Sequence, residues 1–286
     1  MVGEVTERIA VARPAGLSDD LTARIVSGLV LGGVALAANW AGPLWFAGLV
    51  VAVALLMSWE WTRVVRDRSL DAGLVTQLVF VVGAVAAIAS DQPWLALALL
   101  GCGSMLMLVI CRQHRPLLSA LGILYVGLPA LALMWLRRDG SFGALAILYI
   151  YAVVWTTDTF AYTCGKLIGG PKLWPGISPM KTWAGTLGGI GFAALAGLLF
   201  GFAIAHPAPP VLAAVGVVLS LAAQGGDLAE SALKRTFAVK HASRLIPGHG
   251  GFMDRMDGIV AAAAVAALLA AIRDPLLPAR ALLFWS

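Results

Sequence analysis

Nine apolar runs dominate this chain, at 25–41, 43–61, 74–90, 95–111, 118–136, 143–162, 183–206, 209–226 and 258–272. Crossing the hydrocarbon core of a bilayer takes roughly 17–25 residues of helix. The runs therefore predict an all-α fold: a polytopic integral membrane protein with about nine transmembrane helices. Composition agrees, since 60% of the residues are hydrophobic and only 12% are charged, whereas a soluble domain is about 25% charged. The first twenty residues are polar and of mixed charge, and lack the short apolar core and cleavage site of a signal peptide. The expected organisation is a cytoplasmic segment at 1–24, N-terminal transmembrane helices at 25–136 and a C-terminal transmembrane catalytic region at 137–286.

The net charge of +5 does not point to nucleic acid. The bases lie in short loops beside apolar runs, which is the pattern of membrane topology and anionic headgroups. With the N-terminus in the cytoplasm and the sides alternating, only Arg137, Arg138, Arg273 and Arg280 of the 20 basic residues fall outside. This bias predicts a multi-pass protein of the cell (inner) membrane with its N-terminus cytoplasmic. It also puts the two most charged loops, 163–182 and 227–257, on one cytoplasmic side, where they can build one site. Cys102, Cys111 and Cys164 are scattered without metal-ligand spacing and read as small core residues. Neither an internal repeat nor a matched pair of interrupted helices supports an inverted-repeat transporter.

Charge is densest between Gly226 and Gly258. Asp227 ends an apolar run, where an acid is costly unless paired or bound to a cation. Glu230 and Ser231 share its face if the helix continues, with Lys234 and Arg235 a turn later. Asp254 and Asp257 precede the last apolar run. Snorkelling explains such charges one by one, as does an acid at a helix N-terminus. Acids at both ends of one loop are harder to explain so, and two carboxylates from facing helices suit Mg²⁺. Between them, Pro247, Gly248, His249, Gly250 and Gly251 form a turn whose backbone can approach phosphate closely. In the other loop, Asp158 is again an acid near the end of an apolar run. Ser178, Lys181 and Thr182 offer two hydroxyls and an ammonium, either as an anion cradle or as a helix N-cap with a snorkelling lysine. Walker, Rossmann and nucleophile-elbow motifs are all missing.

These residues resemble the phosphatidate cytidylyltransferase family, also called CDP-diacylglycerol synthases. The family signature runs Ser-x-x-Lys-Arg, four residues, Lys-Asp, then Pro-Gly-His-Gly-Gly-x-x-Asp-Arg-x-Asp. Here it reads Ser231, Lys234, Arg235, Lys240, then Pro247 to Gly251, Asp254, Arg255 and Asp257. Asp158, Tyr162, Gly165-Lys166, Ile177 to Pro179, Lys181 to Trp183 and Gly185 match upstream, and Glu60-Trp61 and Tyr125 to Pro129 look similar. Three positions depart: His241 for the usual Asp, Ala184 for the usual Glu and Phe160 for a small residue.

The resemblance implies transfer of a cytidylyl group from CTP to phosphatidic acid, giving CDP-diacylglycerol and pyrophosphate at the lipid bilayer. Mg²⁺ is the implied cofactor, with K⁺ as a second candidate cation. Asp227 and Asp254 would hold the metal, with Lys234 and Arg255 completing the catalytic set. Asp158, Ser178, Lys181, Thr182, Ser231, Arg235, Lys240, His249, Gly250, Gly251 and Asp257 would line the substrate pocket. The alternatives are a CTP-dependent transferase acting on another lipid phosphate, an ion-coupled transporter and an inactive scaffold. Whether the protein is a homodimer is left open.

Overall fold

The structure, a computed structural model, describes the backbone of residues 17–284 apart from 240, 244 and 247–249, and side chains from residue 25 onward. The nine apolar runs become nine helices in order: α1 (Leu17–Ala41), α2 (Pro43–Arg66), α3 (Ala72–Ala89), α4 (Pro93–Ile110), α5 (Pro116–Arg137), α6 (Gly143–Leu167), α7 (Trp183–Ala203), α8 (Pro209–Thr236) and α9 (Met253–Arg273). Helices α2 to α9 are each long and apolar enough to span a bilayer, and α1 contributes a shorter apolar stretch, Ile25–Ala41. A short α10 (Pro278–Leu283) closes the chain. Large apolar side chains cover the outside, among them Leu29, Val79, Met105 and Leu199, as a lipid-facing surface requires.

The structure corrects the loop boundaries. Helix α8 runs ten residues past 226, and α9 begins five residues before 258. There, and at the ends of α2 and α6, polar residues beyond the apolar run remain helical, because i→i−4 hydrogen bonding does not require apolar side chains. The loop 163–182 is also not irregular throughout. It holds an antiparallel hairpin of β1 (Lys172–Trp174) and β2 (Ser178–Thr182), with Lys172 opposite Thr182.

Helices α2 to α5 pack on one another, as do α6 to α9, and α5 joins the two sets by contacting both α6 and α9. One continuous apolar core results. Polar cross-links fix the helices within it. Thr157 on α6 donates to Ser220 on α8 at 2.9 Å, and Tyr149 donates to the Leu212 carbonyl at 2.5 Å. At the end of the bundle away from the charged loops, the buried Arg137 donates to the Asn39 carbonyl at 2.7 Å, and Asn39 donates to that of Ala144 at 2.9 Å. These bonds tie α1 to the α5–α6 turn.

At the other end, the α2–α3 corner is closed by an ion pair. Arg66 reaches Asp71 through Nε at 2.8 Å and Nη2 at 3.1 Å, and its side chain is fully buried. Asp71 also caps α3 by accepting the Leu74 N–H at 2.6 Å. Burial alone would raise the Asp71 carboxyl, but the bond and charge of Arg66 and the Leu74 N–H outweigh it and hold it below the usual carboxylate range. A carboxyl depressed by folding stabilises the protein above its unfolded pKa and loses that contribution as pH falls through the folded value. Asp71→Asn should therefore cost on the order of 3 kcal/mol near neutral pH, because it leaves Arg66 buried and unpaired. The difference from wild type should shrink below about pH 4. Denaturation in detergent micelles across pH measures both effects.

Candidate active site

Helices α6, α8 and α9 bring their charged ends together with the hairpin. Asp227 and Glu230 lie three residues apart on α8, so both face α9, where Asp257 meets them. One carboxylate oxygen from each of Asp227, Glu230 and Asp257 lies within 4.8 Å of the other two. The approach needs a glycine at Gly226: a Cβ there would lie 2.5 Å from the Asp257 carbonyl oxygen and 2.7 Å from the Ala261 Cβ. No side chain fits between α8 and α9 at that crossing.

Two lysines match these acids. Lys234 Nζ lies 2.6 Å from Asp254 Oδ1 and 2.7 Å from Glu230 Oε2. The Glu230 contact is an ion pair without hydrogen-bond alignment, and the buried Glu230 Oε1 has no partner among the described residues. Lys181, on β2, lies 2.7 Å from Asp227 Oδ2 and donates to the Gln224 carbonyl at 3.3 Å. Ser231 donates to Asp227 Oδ1 at 3.3 Å. Arg235 ties the hairpin to α8 through the Ile177 carbonyl at 3.3 Å.

Asp254, expected to share a metal with Asp227, shares Lys234 with Glu230 and holds loop amides. Besides Lys234, it accepts the Gly251 N–H at 2.9 Å and the Ala242 N–H at 3.3 Å, and His241 Nδ1 lies 3.5 Å away. It organises the loop, while Glu230 and Asp257 stand with Asp227. Thr182 caps α7 by accepting the Gly185 N–H at 3.1 Å, so the capping reading of that hydroxyl holds. The Gly250 N–H goes to the Ile246 carbonyl at 3.1 Å. The amides of Gly250 and Gly251, expected to cradle phosphate, are thus both bonded within the loop. Ser178, partly buried, begins β2 beside Lys181. Lys240 and His249 lie outside the described residues.

A cavity of about 690 Å³ opens beside these charges. Its walls come from α1, α2, α5, α6 and α9 and are almost wholly apolar, including Leu36, Met57, Leu133 and Trp155. Its polar lining residues include Asp158, Thr159 and Arg255. Asp158 is exposed to the cavity and within electrostatic reach of Asp227, Lys181 and Arg255. The chain thus sets a charged centre against an apolar chamber.

One residue that carries this geometry went unassigned in the sequence: Glu60 on α2. It is fully buried and accepts hydrogen bonds from Ser243 Oγ and from the Phe252 and Met253 amides, at the start of α9. An acid inside the apolar run 43–61 was the available signal.

Residues 22–273 match the sequence model of the cytidylyltransferase family. This chain belongs to the cytidylyltransferase family. It is 39% identical over 254 residues to a phosphatidate cytidylyltransferase of Brucella abortus biovar 1, covering 88% of this chain and 94% of the relative. Over 141 residues it is 40% identical to the protein of that name from Bacillus subtilis, covering 49% of this chain and 52% of the relative. Over the same length it is 43% identical to that from Staphylococcus epidermidis, covering 49% and 53%. Two departures from the family pattern have visible contacts. Phe160 stacks on Phe192 between α6 and α7, with centroids 3.6 Å apart, and His241 sits against Asp254. Nothing in the structure explains Ala184.

The two lysines differ in burial, and their removal should differ accordingly. Lys234→Met would strand Glu230 and Asp254, whose side chains are 0% and 3% exposed, and should cost roughly 3–5 kcal/mol. Lys181→Met would release Asp227, whose side chain is 39% exposed, and should cost no more than about 1 kcal/mol. Urea midpoints in micelles compare the two; equal losses would contradict this reading.

Proposed function

We propose that this chain transfers the cytidylyl group of CTP to phosphatidic acid, releasing pyrophosphate and leaving CDP-diacylglycerol in the membrane. The observation that carries the reading is the carboxylate cluster of Asp227, Glu230 and Asp257, flanked by Lys181 and Lys234 and set beside an apolar cavity. One substrate comes from water and one from lipid, and this site faces both. The names of the Brucella, Bacillus and Staphylococcus relatives support the same reaction.

A phosphate oxygen of phosphatidic acid attacks the α-phosphorus of CTP. A new P–O bond forms as the bond from the α-phosphorus to the α,β-bridging oxygen breaks, and that electron pair leaves with pyrophosphate. The attacking oxygen is already anionic, so no strong general base is required. The protein's task is to position two anions and neutralise their charge.

Asp227, Glu230 and Asp257 fit Mg²⁺. They are hard oxygen donors, they crowd within 4.8 Å, and Glu230 Oε1 has no hydrogen-bond partner among the described residues. When bound there, Mg²⁺ supplies neutralisation of the triphosphate and the leaving pyrophosphate. Ser231 holds Asp227 in place. Lys181 and Lys234 stand beside the cluster as ammonium donors for phosphate oxygens. Arg255, exposed where it lines the cavity, meets the lipid phosphate while an acyl chain lies among the apolar walls. The site faces the cytoplasm, on the same side as the N-terminus, and the protein resides in the cell's inner membrane.

Purified protein in detergent, given phosphatidic acid, CTP labelled at the α-phosphate, Mg²⁺ and K⁺, should produce lipid-borne label. Asp227→Asn and Asp257→Asn should each lower kcat by about 100-fold or more. Label on another lipid phosphate but not on phosphatidic acid would change the acceptor. Full activity of both variants would remove the cluster from the mechanism.

A further inference from the structure

We propose that Glu60 is a positioning residue for this reaction: from α2, it anchors the α8–α9 loop and the first turn of α9, and so sets where Asp254 and Asp257 stand. The inference rests on the function proposed above and adds a residue from the N-terminal half of the bundle.

The first amides of any helix lack partners within it. Helix α9 has no side-chain cap of its own, since its N-cap residue is Phe252, with helical backbone angles of −65° and −39°. Glu60 supplies the missing acceptors across 192 residues of sequence. Its Oε1 accepts the Phe252 N–H at 2.9 Å and Ser243 Oγ at 2.5 Å; its Oε2 accepts the Met253 N–H at 2.6 Å. A carboxylate at a helix N-terminus also faces the positive end of the helix dipole. Gly251 adapts to this contact, because a Cβ there would lie 2.6 Å from Glu60 Oε1. Trp61, the next residue, donates to the Leu118 carbonyl at 3.0 Å and rings against Tyr125 with centroids 4.9 Å apart, which fixes the rotation of α2 on α5.

Among the described residues no Lys, Arg or His lies within ion-pair distance of Glu60. A buried carboxylate held only by neutral donors among the described residues is a poor way to gain stability alone. Its position explains it better. Met253 directly precedes Asp254, and Asp257 follows one turn on. A shift of about 1 Å at this helix start would move both acids, enough to cost about 100-fold in rate.

Glu60→Gln keeps the shape but turns an N–H₂ group toward at least one of the three donors. Ser243→Ala removes one bond and leaves the carboxylate. Both variants, and the double variant, would be compared with wild type by cytidylyl transfer and by hydrogen exchange of backbone amides. Glu60→Gln should lower kcat by about tenfold or more while KM for phosphatidic acid stays within about twofold. Exchange should speed up across 251–257 but not in α6 or α7. Ser243→Ala should show the same pattern more weakly, and the double variant should be no worse than Glu60→Gln. Unchanged exchange at 251–257, turnover of Glu60→Gln within twofold of wild type, or effects of the two substitutions that multiply would each overturn the proposal. If Glu60→Gln does not fold, Ser243→Ala decides by the same two readouts. Wild type that transfers no cytidylate would sink the reaction, and the exchange pattern alone would then judge the anchor.

Discussion

Lys234 touches two acids at once, Glu230 Oε2 at 2.7 Å and Asp254 Oδ1 at 2.6 Å, and it is the link through which α8 closes on α9. The first partner is one turn back on its own helix; the second begins the next helix. Both acids are almost fully buried, so neither could remain charged there without a cation close by. Asp227 is more exposed, and Lys181 matches it from β2 with a weaker demand for balance. Charge in a low-dielectric crossing must be balanced, and here the balancing groups also bind the elements together. The hairpin is held to α8 by Lys181 and Arg235, and the α8–α9 loop is held by Asp254.

That balance is incomplete at one point. Lys234 lies against Oε2 of Glu230, and Oε1 has no hydrogen-bond partner among the described residues, while Asp227, Glu230 and Asp257 crowd one another. A divalent cation would satisfy all three. The rest of the fold brings them to this distance. Gly226 lets α8 and α9 cross, Glu60 seats the start of α9, and the Thr157–Ser220 bond sets α6 against α8, which brings Asp158 into range. An apolar cavity lies next to them, and in the proposed reaction it would take the lipid tail while the water-borne substrate reaches the charged centre from the other side.

Much of this was legible in the sequence. Nine apolar runs became nine helices because lipid enforces an unbroken helical span, and that constraint is written in hydropathy. The acids at the ends of 143–162, 209–226 and 258–272 stood out because charge at that depth is costly, and the structure brings them near one another. Hydropathy did not show where helices end, since polar residues such as Lys234 and Met253-Asp254 extend them beyond the apolar run. Nor could it divide the acids by role. Asp254 and Asp257 look alike at a helix start, and only the folded loop shows that Asp254 accepts the Gly251 and Ala242 amides while Asp257 stands with Asp227 and Glu230. The hairpin escaped notice because β1 has three residues, too few for an alternating pattern. Glu60 makes its contacts far along the chain, and no local pattern encodes them.

The proposed divalent cation site consists of Asp227, Glu230 and Asp257 rather than the Lys234-bound Asp254. Mn²⁺ binding to the purified protein in detergent, followed by electron paramagnetic resonance, tests it without any turnover. Wild type should bind Mn²⁺, Mg²⁺ should compete for the site, and Asp257→Asn and Glu230→Gln should each weaken binding by about tenfold or more. Variants that bind Mn²⁺ as tightly as wild type would contradict it.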